Sequence, residues 1–297
     1  MVFVLLRQIM YNYFCIKDLF SIVFNVVHGY ERILQMEYGM PTLIEFDTLR
    51  ENAELCHDLG LKFIELNMNL PQYTEESFQN ISYLAELSKE YGIYYTIHLD
   101  ENLNVCDFNN RVAKAYEETV YETLRAAIRL GVPLLNMHMH KGIYITLPDK
   151  KVYLFEKHKD IYFKKLEQFR NRCEEIIGSK NLTVSVENTD GYQPFQKEGI
   201  ELLLKSPAFT LTWDIGHSHA ADGIDEEFLL DHQKRLKHFH IHDAIEKKNH
   251  LTLGTGEINL SEKLSIAENT GSRCVLETKT AVSLKESVKW LKERALF

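Results

Sequence analysis

Two rhythms of apolar and polar residues alternate along most of this chain. From Tyr38 onward, short runs rich in β-branched and aromatic residues are separated by longer stretches whose apolar positions recur every three or four residues. The short runs predict strands at Gly39–Ile44, Lys62–Asn67, Tyr94–Leu99, Leu134–His140, Thr183–Glu187, Thr210–Asp214, His238–His242 and Arg273–Thr278. The longer stretches predict helices near 48–59, 76–91, 110–130, 157–177, 196–205, 226–235, 261–269 and 283–295. Gly60, Gly92, Gly131, Gly178 and Gly271 follow helices, where a left-handed cap suits glycine, and Asp47 and Asn109 are placed as N-caps. Eight strands alternating with eight helices describe an α/β fold, the (β/α)8 TIM barrel. A doubly wound sheet is the alternative, but no glycine-rich phosphate turn follows the first strand.

Within the strands, the faces carry an unusual division. In Lys237-His238-Phe239-His240-Ile241-His242-Asp243, period-two alternation puts three histidines on one face and Phe239 and Ile241 on the other. The same division gives inward sets of Thr210, Thr212 and Asp214; of Thr183, Ser185 and Glu187; of Tyr94, Thr96 and His98; and of Leu134, Asn136, His138 and His140. Buried parallel strands ordinarily read as continuous apolar runs. Here the polar residues gather at the C-terminal ends, where barrel enzymes carry their chemistry.

Collected in order, the strand ends supply Glu65, Asn67, His98, His138, His140, Glu187, Asp214, His240, His242 and Glu277, and the following loops add His217, His219 and His250. Any one of these histidines alone reads as a hydrogen-bonded, half-buried side chain. Together they read differently, because several carboxylates in one cavity cannot all ionise cheaply without a cation among them. Carboxylate and imidazole donors without thiolate suit Mn²⁺, Mg²⁺, Co²⁺ or Zn²⁺.

Composition narrows the partners. The chain is 45% hydrophobic and 26% charged with a formal charge of −9, which argues against nucleic acid as the main partner. Five scattered cysteines with no C-x-x-C pair point to a reducing, cytoplasmic setting. The apolar runs Met1–Leu6 and Leu19–Val27 are interrupted by charge and too short to cross a bilayer, so no membrane partner is expected. Residues 1–36 are expected to form an N-terminal extension peripheral to a barrel domain over 37–297. Homo-oligomerisation is left open.

Five motifs carry a resemblance. Val186-Glu187-Asn188-Thr189, Trp213-Asp214-Ile215-Gly216-His217, His238-Phe239-His240-Ile241-His242-Asp243, the run from His250 through Gly254 and Gly256 to Glu257-Ile258, and Leu276-Glu277 resemble the xylose-isomerase-like barrel superfamily. That superfamily holds sugar and sugar-phosphate isomerases and epimerases, inosose dehydratases and metal-dependent abasic-site endonucleases. The resemblance implies a divalent metal on Glu187, Asp214, His240 and Glu277, with Glu187 and Glu277 also exchanging a proton next to a metal-polarised carbonyl of a sugar or sugar phosphate. His98, His138, His140, His217 and His250 are further candidates for metal or substrate. The endonucleases carry an Asp two residues before the equivalent of His250, where this chain has Lys248. An ammonium there removes a ligand and adds a repelling charge, which counts against a complete trinuclear site. A polyol dehydratase or aldolase on the same site, or an abasic-site phosphodiesterase, are the alternatives. Glu65 and Asn67 are candidates to hydrogen-bond substrate hydroxyls or else to close the barrel rim, Asn188 to orient Glu187 or contact substrate, and Lys248, with Lys141 and Lys279, to hold a phosphate.

Overall fold

The computed structural model describes residues 36–297 apart from Glu75 and Asn80. The extension expected over residues 1–36 therefore lies, but for Met36, outside the described residues. Eight parallel strands close into a barrel: β1 Tyr38–Pro41, β2 Phe63–Asn67, β3 Tyr94–His98, β4 Leu134–His138, β5 Thr183–Glu187, β6 Phe209–Asp214, β7 Leu236–Ile241 and β8 Arg273–Leu276. Each strand pairs with the next in sequence, and β8 pairs back onto β1. Parallel neighbours need a crossover that returns the chain to its starting edge, and helices provide it throughout. The principal ones are Leu49–Leu59, Ile81–Tyr91, Asn110–Leu130, Lys159–Ile177, Pro194–Leu203, Leu260–Thr270 and Ala281–Glu293. Among the described residues no helix is long and apolar enough to cross a membrane.

Local chemistry sets the helix ends. Thr48, not Asp47, caps the first helix, in a capping box with Glu51. Asn109 caps the helix over Asn110–Leu130 as expected. Five strands stop earlier than the apolar pattern suggests, β3 and β7 by a single residue. β1 ends at Pro41, whose ring removes the ladder donor; β4 ends at His138 and β8 at Leu276, leaving His140 and Glu277 on loops. Two βα-loops each carry a hairpin, Tyr144–Thr146 with Lys151–Tyr153 and Asp243–Ile245 with Lys248–Leu251.

The barrel has two buried surfaces of opposite character. Leu211, Trp213, Phe239 and Ile241 face the helices and are buried. The interior is apolar at its base, where Phe63 stacks on Tyr94 at 5.2 Å between ring centres. Gly39 makes room for that ring, because a Cβ there would lie 2.5 Å from Phe63. Above it the filling turns polar. The Thr212 hydroxyl donates to Asn136 Oδ1 at 2.6 Å and lies 2.7 Å from Ser185 Oγ, and Asn136 Nδ2 in turn donates to Glu187 Oε2. Three neighbouring strands thus build a hydrogen-bonded floor beneath the carboxylates.

Phe239 is fully buried, with its ring 5.7 Å from that of Trp213. Phe239→Ala is expected to lower unfolding free energy by about 3–5 kcal/mol in urea titrations, the range for emptying a large aromatic site. A loss below about 1 kcal/mol would mean the helix layer does not pack on this face as described.

Candidate metal centre

Four side chains from four consecutive strands converge at the C-terminal mouth. Glu187 ends β5, Asp214 ends β6, His240 lies near the end of β7, and Glu277 follows β8 by one residue. Register brings them level: Asp214 lies opposite His240, and the Glu277 backbone N–H donates to the carbonyl of Ile241. One ligand atom from each lies within 4.8 Å of the others. His240 Nδ1 sits 2.9 Å from Glu187 Oε1, 3.1 Å from Glu277 Oε2 and 3.8 Å from Asp214 Oδ2.

The electrostatics of this group are severe. Burial works to raise the carboxyl pKa of Glu187 and of Glu277, and charge on His240 overrides it, holding both well below the ordinary carboxylate range. Burial works against charge on His240, but Glu187, Glu65 and Glu277 hold its imidazole well above its usual value. Even so, His240 Nδ1 and Glu277 Oε2 are buried without a hydrogen-bond partner. Orphaned atoms aimed into a cluster of three carboxylates and an imidazole are what a divalent-cation site presents, so the residues fit such an ion.

Glu187 faces two ways. Its Oε2 lies 3.3 Å from His98 Nε2 and 3.3 Å from His138 Nε2, a second group able to hold a cation. His98 Nδ1 lies 2.8 Å from the Leu99 carbonyl, which can only accept, so that nitrogen carries the proton and Nε2 is turned to the carboxylate. Burial depresses the His98 pKa, yet Glu187 and then Glu65 push it up to about 9, so a proton holds the place opposite Glu187 when no cation does.

Asp214 is fixed from several directions. Its Oδ1 accepts from the His217 backbone N–H at 2.6 Å, and its Oδ2 lies 3.1 Å from His242 Nε2. The His250 backbone N–H donates to His242 Nδ1 at 2.8 Å, which leaves the His242 proton on Nε2, directed at Asp214. The rings of His242 and His250 stack at 4.3 Å. Gly216 is required here: a Cβ on it would lie 2.0 Å from the His242 ring. His217, His242 and His250 form a third nitrogen-rich group, although His242 already has a partner at each nitrogen.

Other expected contacts fall elsewhere. Glu65 is 2% exposed and accepts from His238, His240 and Thr96, so it lies beneath the site and away from substrate. Asn188 is fully buried; its Nδ2 donates to the Asp214 carbonyl and its Oδ1 accepts from the Asp214 N–H. His140 is exposed on the loop after β4, accepting from the Gly142 N–H, and joins none of the clusters, because the strand has already ended. Lys248 is exposed on the outer hairpin, Lys141 pairs with Asp190 at 2.5 Å and Lys279 with Glu277 at 2.8 Å. Asn67 does line a cavity of about 190 Å³ with Thr42, Ile44, Leu70, Glu277 and Lys279. A second cavity of about 290 Å³ opens between His217, Thr189, Asp190 and Asn249. Asp243 was not anticipated: buried, it accepts from the backbone N–H groups of Gly254, Gly256 and Ile258 and so ties down the loop after His250. The paired glycines of that loop are its trace in the sequence, since a Cβ on Gly256 would meet Asp243 Oδ1 at 2.3 Å.

A family model described as xylose isomerase-like TIM barrel matches residues 53–294. The chain belongs to the xylose isomerase-like TIM barrel family. Within curated proteins, the uncharacterised protein MJ1614 of Methanocaldococcus jannaschii is 28% identical over 236 residues, 76% of this chain and 85% of that protein. A D-tagatose 3-epimerase-like protein superimposes with a TM-score of 0.68 at 23% identity, covering 88% of this chain and 98% of its own. The 3-keto-D-glucoside 4-epimerase YcjR of E. coli does so with a TM-score of 0.70 at 16% identity, covering 87% and 99%. At these identities the two solved structures speak for the barrel, and the chemistry is argued from the site.

Asn188→Asp keeps an acceptor for the Asp214 N–H but sets a carboxylate against the Asp214 carbonyl. The expected loss is about 1–3 kcal/mol of stability, read by chemical denaturation, as for a buried hydrogen bond replaced by an unpaired acceptor. Wild-type stability in that variant would return Asn188 to the substrate side.

Proposed function

We propose that this barrel is a divalent-cation-dependent isomerase or epimerase of a small sugar or sugar phosphate. Glu187, Asp214, His240 and Glu277 would hold the cation, and Glu187 and Glu277 would exchange the proton. The observation that carries the reading is the approach of two carboxylates to one imidazole nitrogen, at 2.9 and 3.1 Å, at the C-terminal end of the barrel. A bound divalent ion would supply Lewis-acid polarisation of a substrate carbonyl, worth several kcal/mol of charge stabilisation.

The chain's own residues account for the rest. Glu277 borders the cavity, and its Oε1 is held by the Lys279 ammonium, which favours the ionised carboxylate needed of a base. It takes the proton from the carbon next to the carbonyl, and the electron pair of that C–H bond moves toward the carbonyl oxygen. Glu187 returns a proton supplied by the protonated His98, whose Nε2 lies 3.3 Å from its Oε2: to the same carbon for epimerisation, or to the carbonyl carbon for isomerisation, with the hydroxyl proton passing between the two oxygens, while the proton on Glu277 leaves to water. Its Asn136 and His240 contacts fix the direction of its carboxyl group. Asn67 borders the same cavity and can hold substrate hydroxyls.

A second reading has its own observation. His98 and His138 opposite Glu187 Oε2 make a second cation group that shares Glu187 with the first, an arrangement that suits phosphoester hydrolysis with paired metals. Against it stand the exposed, outward Lys248 and the formal charge of −9.

The test uses purified protein stripped with a chelator and reloaded with Mn²⁺, Mg²⁺, Co²⁺ or Zn²⁺, assayed on a ketose panel and on an abasic duplex. Ketose interconversion that disappears on stripping is expected, and Glu187→Gln or Glu277→Gln should each lower kcat by about 10²–10⁴-fold with the melting curve retained. Both variants within about tenfold of wild type would remove the acid–base assignment. Strand nicking without ketose turnover would select the second reading.

A further inference from the structure

Glu65 is a buried carboxylate with both oxygens engaged. It stands at the middle of β2, and β1 and β8 separate that strand from β7, so its side chain crosses the barrel interior to reach His238 and His240. Glu65 Oε1 lies 2.7 Å from His240 Nε2; Oε2 lies 3.0 Å from His238 Nε2 and accepts from the Thr96 hydroxyl at 2.9 Å. All four residues are buried. If this position only needed filling, an aliphatic side chain would do so without the desolvation of a charge.

The geometry points to a positioning role: we propose that Glu65 fixes the tautomer of His240, keeping a proton on Nε2 so that Nδ1 is the nitrogen offered to the cation. This rests on the cation reading above. An ionised carboxylate can only accept, so the nitrogen 2.7 Å from it carries hydrogen. The remaining nitrogen, Nδ1, is the one turned to Glu187, Asp214 and Glu277, and it makes no hydrogen bond of its own. A free imidazole chooses between its two tautomers by the bonds available, and here one side of the ring has a committed acceptor. His238 contributes to the same end. Its Nδ1 has no hydrogen-bond partner, and its Nε2 is directed at Glu65, so with Thr96 it holds the carboxylate plane from the side opposite His240.

Two measurements test this separately from the function. In metal-free protein labelled with ¹⁵N-histidine, His240 signals are assigned by their loss in His240→Gln. Nε2 is expected to carry a proton; a His240 protonated on Nδ1 alone overturns the proposal whether or not the protein binds metal. Calorimetric titration with Mn²⁺ gives the second readout. Glu65→Leu, which removes the acceptor, should weaken binding about 10–100-fold, and Glu65→Gln, whose amide oxygen can still accept from His240, should recover part of that loss. A folded Glu65→Leu protein that binds Mn²⁺ within about threefold of wild type overturns the proposal. If Glu65→Leu does not fold, the tautomer measurement on the wild-type chain decides. If wild-type protein binds no Mn²⁺, the cation reading fails, and the ¹⁵N result still decides what Glu65 does to His240.

Discussion

The convergence of Glu187, Asp214 and Glu277 on one imidazole is the constraint to which the rest of the barrel interior answers. Removing several like charges from water is costly, and only opposite charge and donated hydrogen bonds offset it. The layers below the mouth supply the donors. Asn136 gives its amide to Glu187 and receives the Thr212 hydroxyl in return, and Thr212 lies beside Ser185. An aliphatic filling at these heights would leave Glu187 with its histidines alone. The apolar material that such a barrel ordinarily keeps inside is displaced to the outer face, where Trp213 and Phe239 meet the helices, and to the base around Phe63. The polar interior and the apolar coat are thus one solution to one electrostatic problem.

Much of this was legible in the sequence, because a period of two assigns each strand residue to a face. Glu187, Asp214 and His240 could be set inward from their strands alone, and the alternation of strands with helices named the barrel. Height and cross-barrel reach were not legible. Glu65 reads as a rim residue from its own strand, yet it lies below the mouth and its two histidine partners come from β7, which pairing does not bring next to β2. Asn188 fails for a related reason. It follows the strand by one residue, and its side chain folds back onto the Asp214 backbone, a contact set by the closeness of two strand ends. His140 shows the opposite case, where a sustained alternation outlasts the strand that produced it.

The loops add what strands cannot. Asp243 gathers three backbone N–H groups from the segment after His250, and His250 itself adopts a left-handed backbone, with φ of 57°, while donating its N–H to His242. That chain of contacts runs from a loop through His242 to Asp214, so loop conformation and the carboxylate's orientation are linked by hydrogen bonds on the β7 side. The Nε2 side of His240 has a different anchor: it is held by Glu65 from strand β2, inside the closed cylinder. The two histidines of one strand end are therefore governed by different parts of the fold. Changes in the β7 loop can re-aim Asp214 and reshape the cavity beside His217 while His240 keeps its place, because its anchor lies in the rigid wall. A barrel wired this way can vary its loops around an anchored His240.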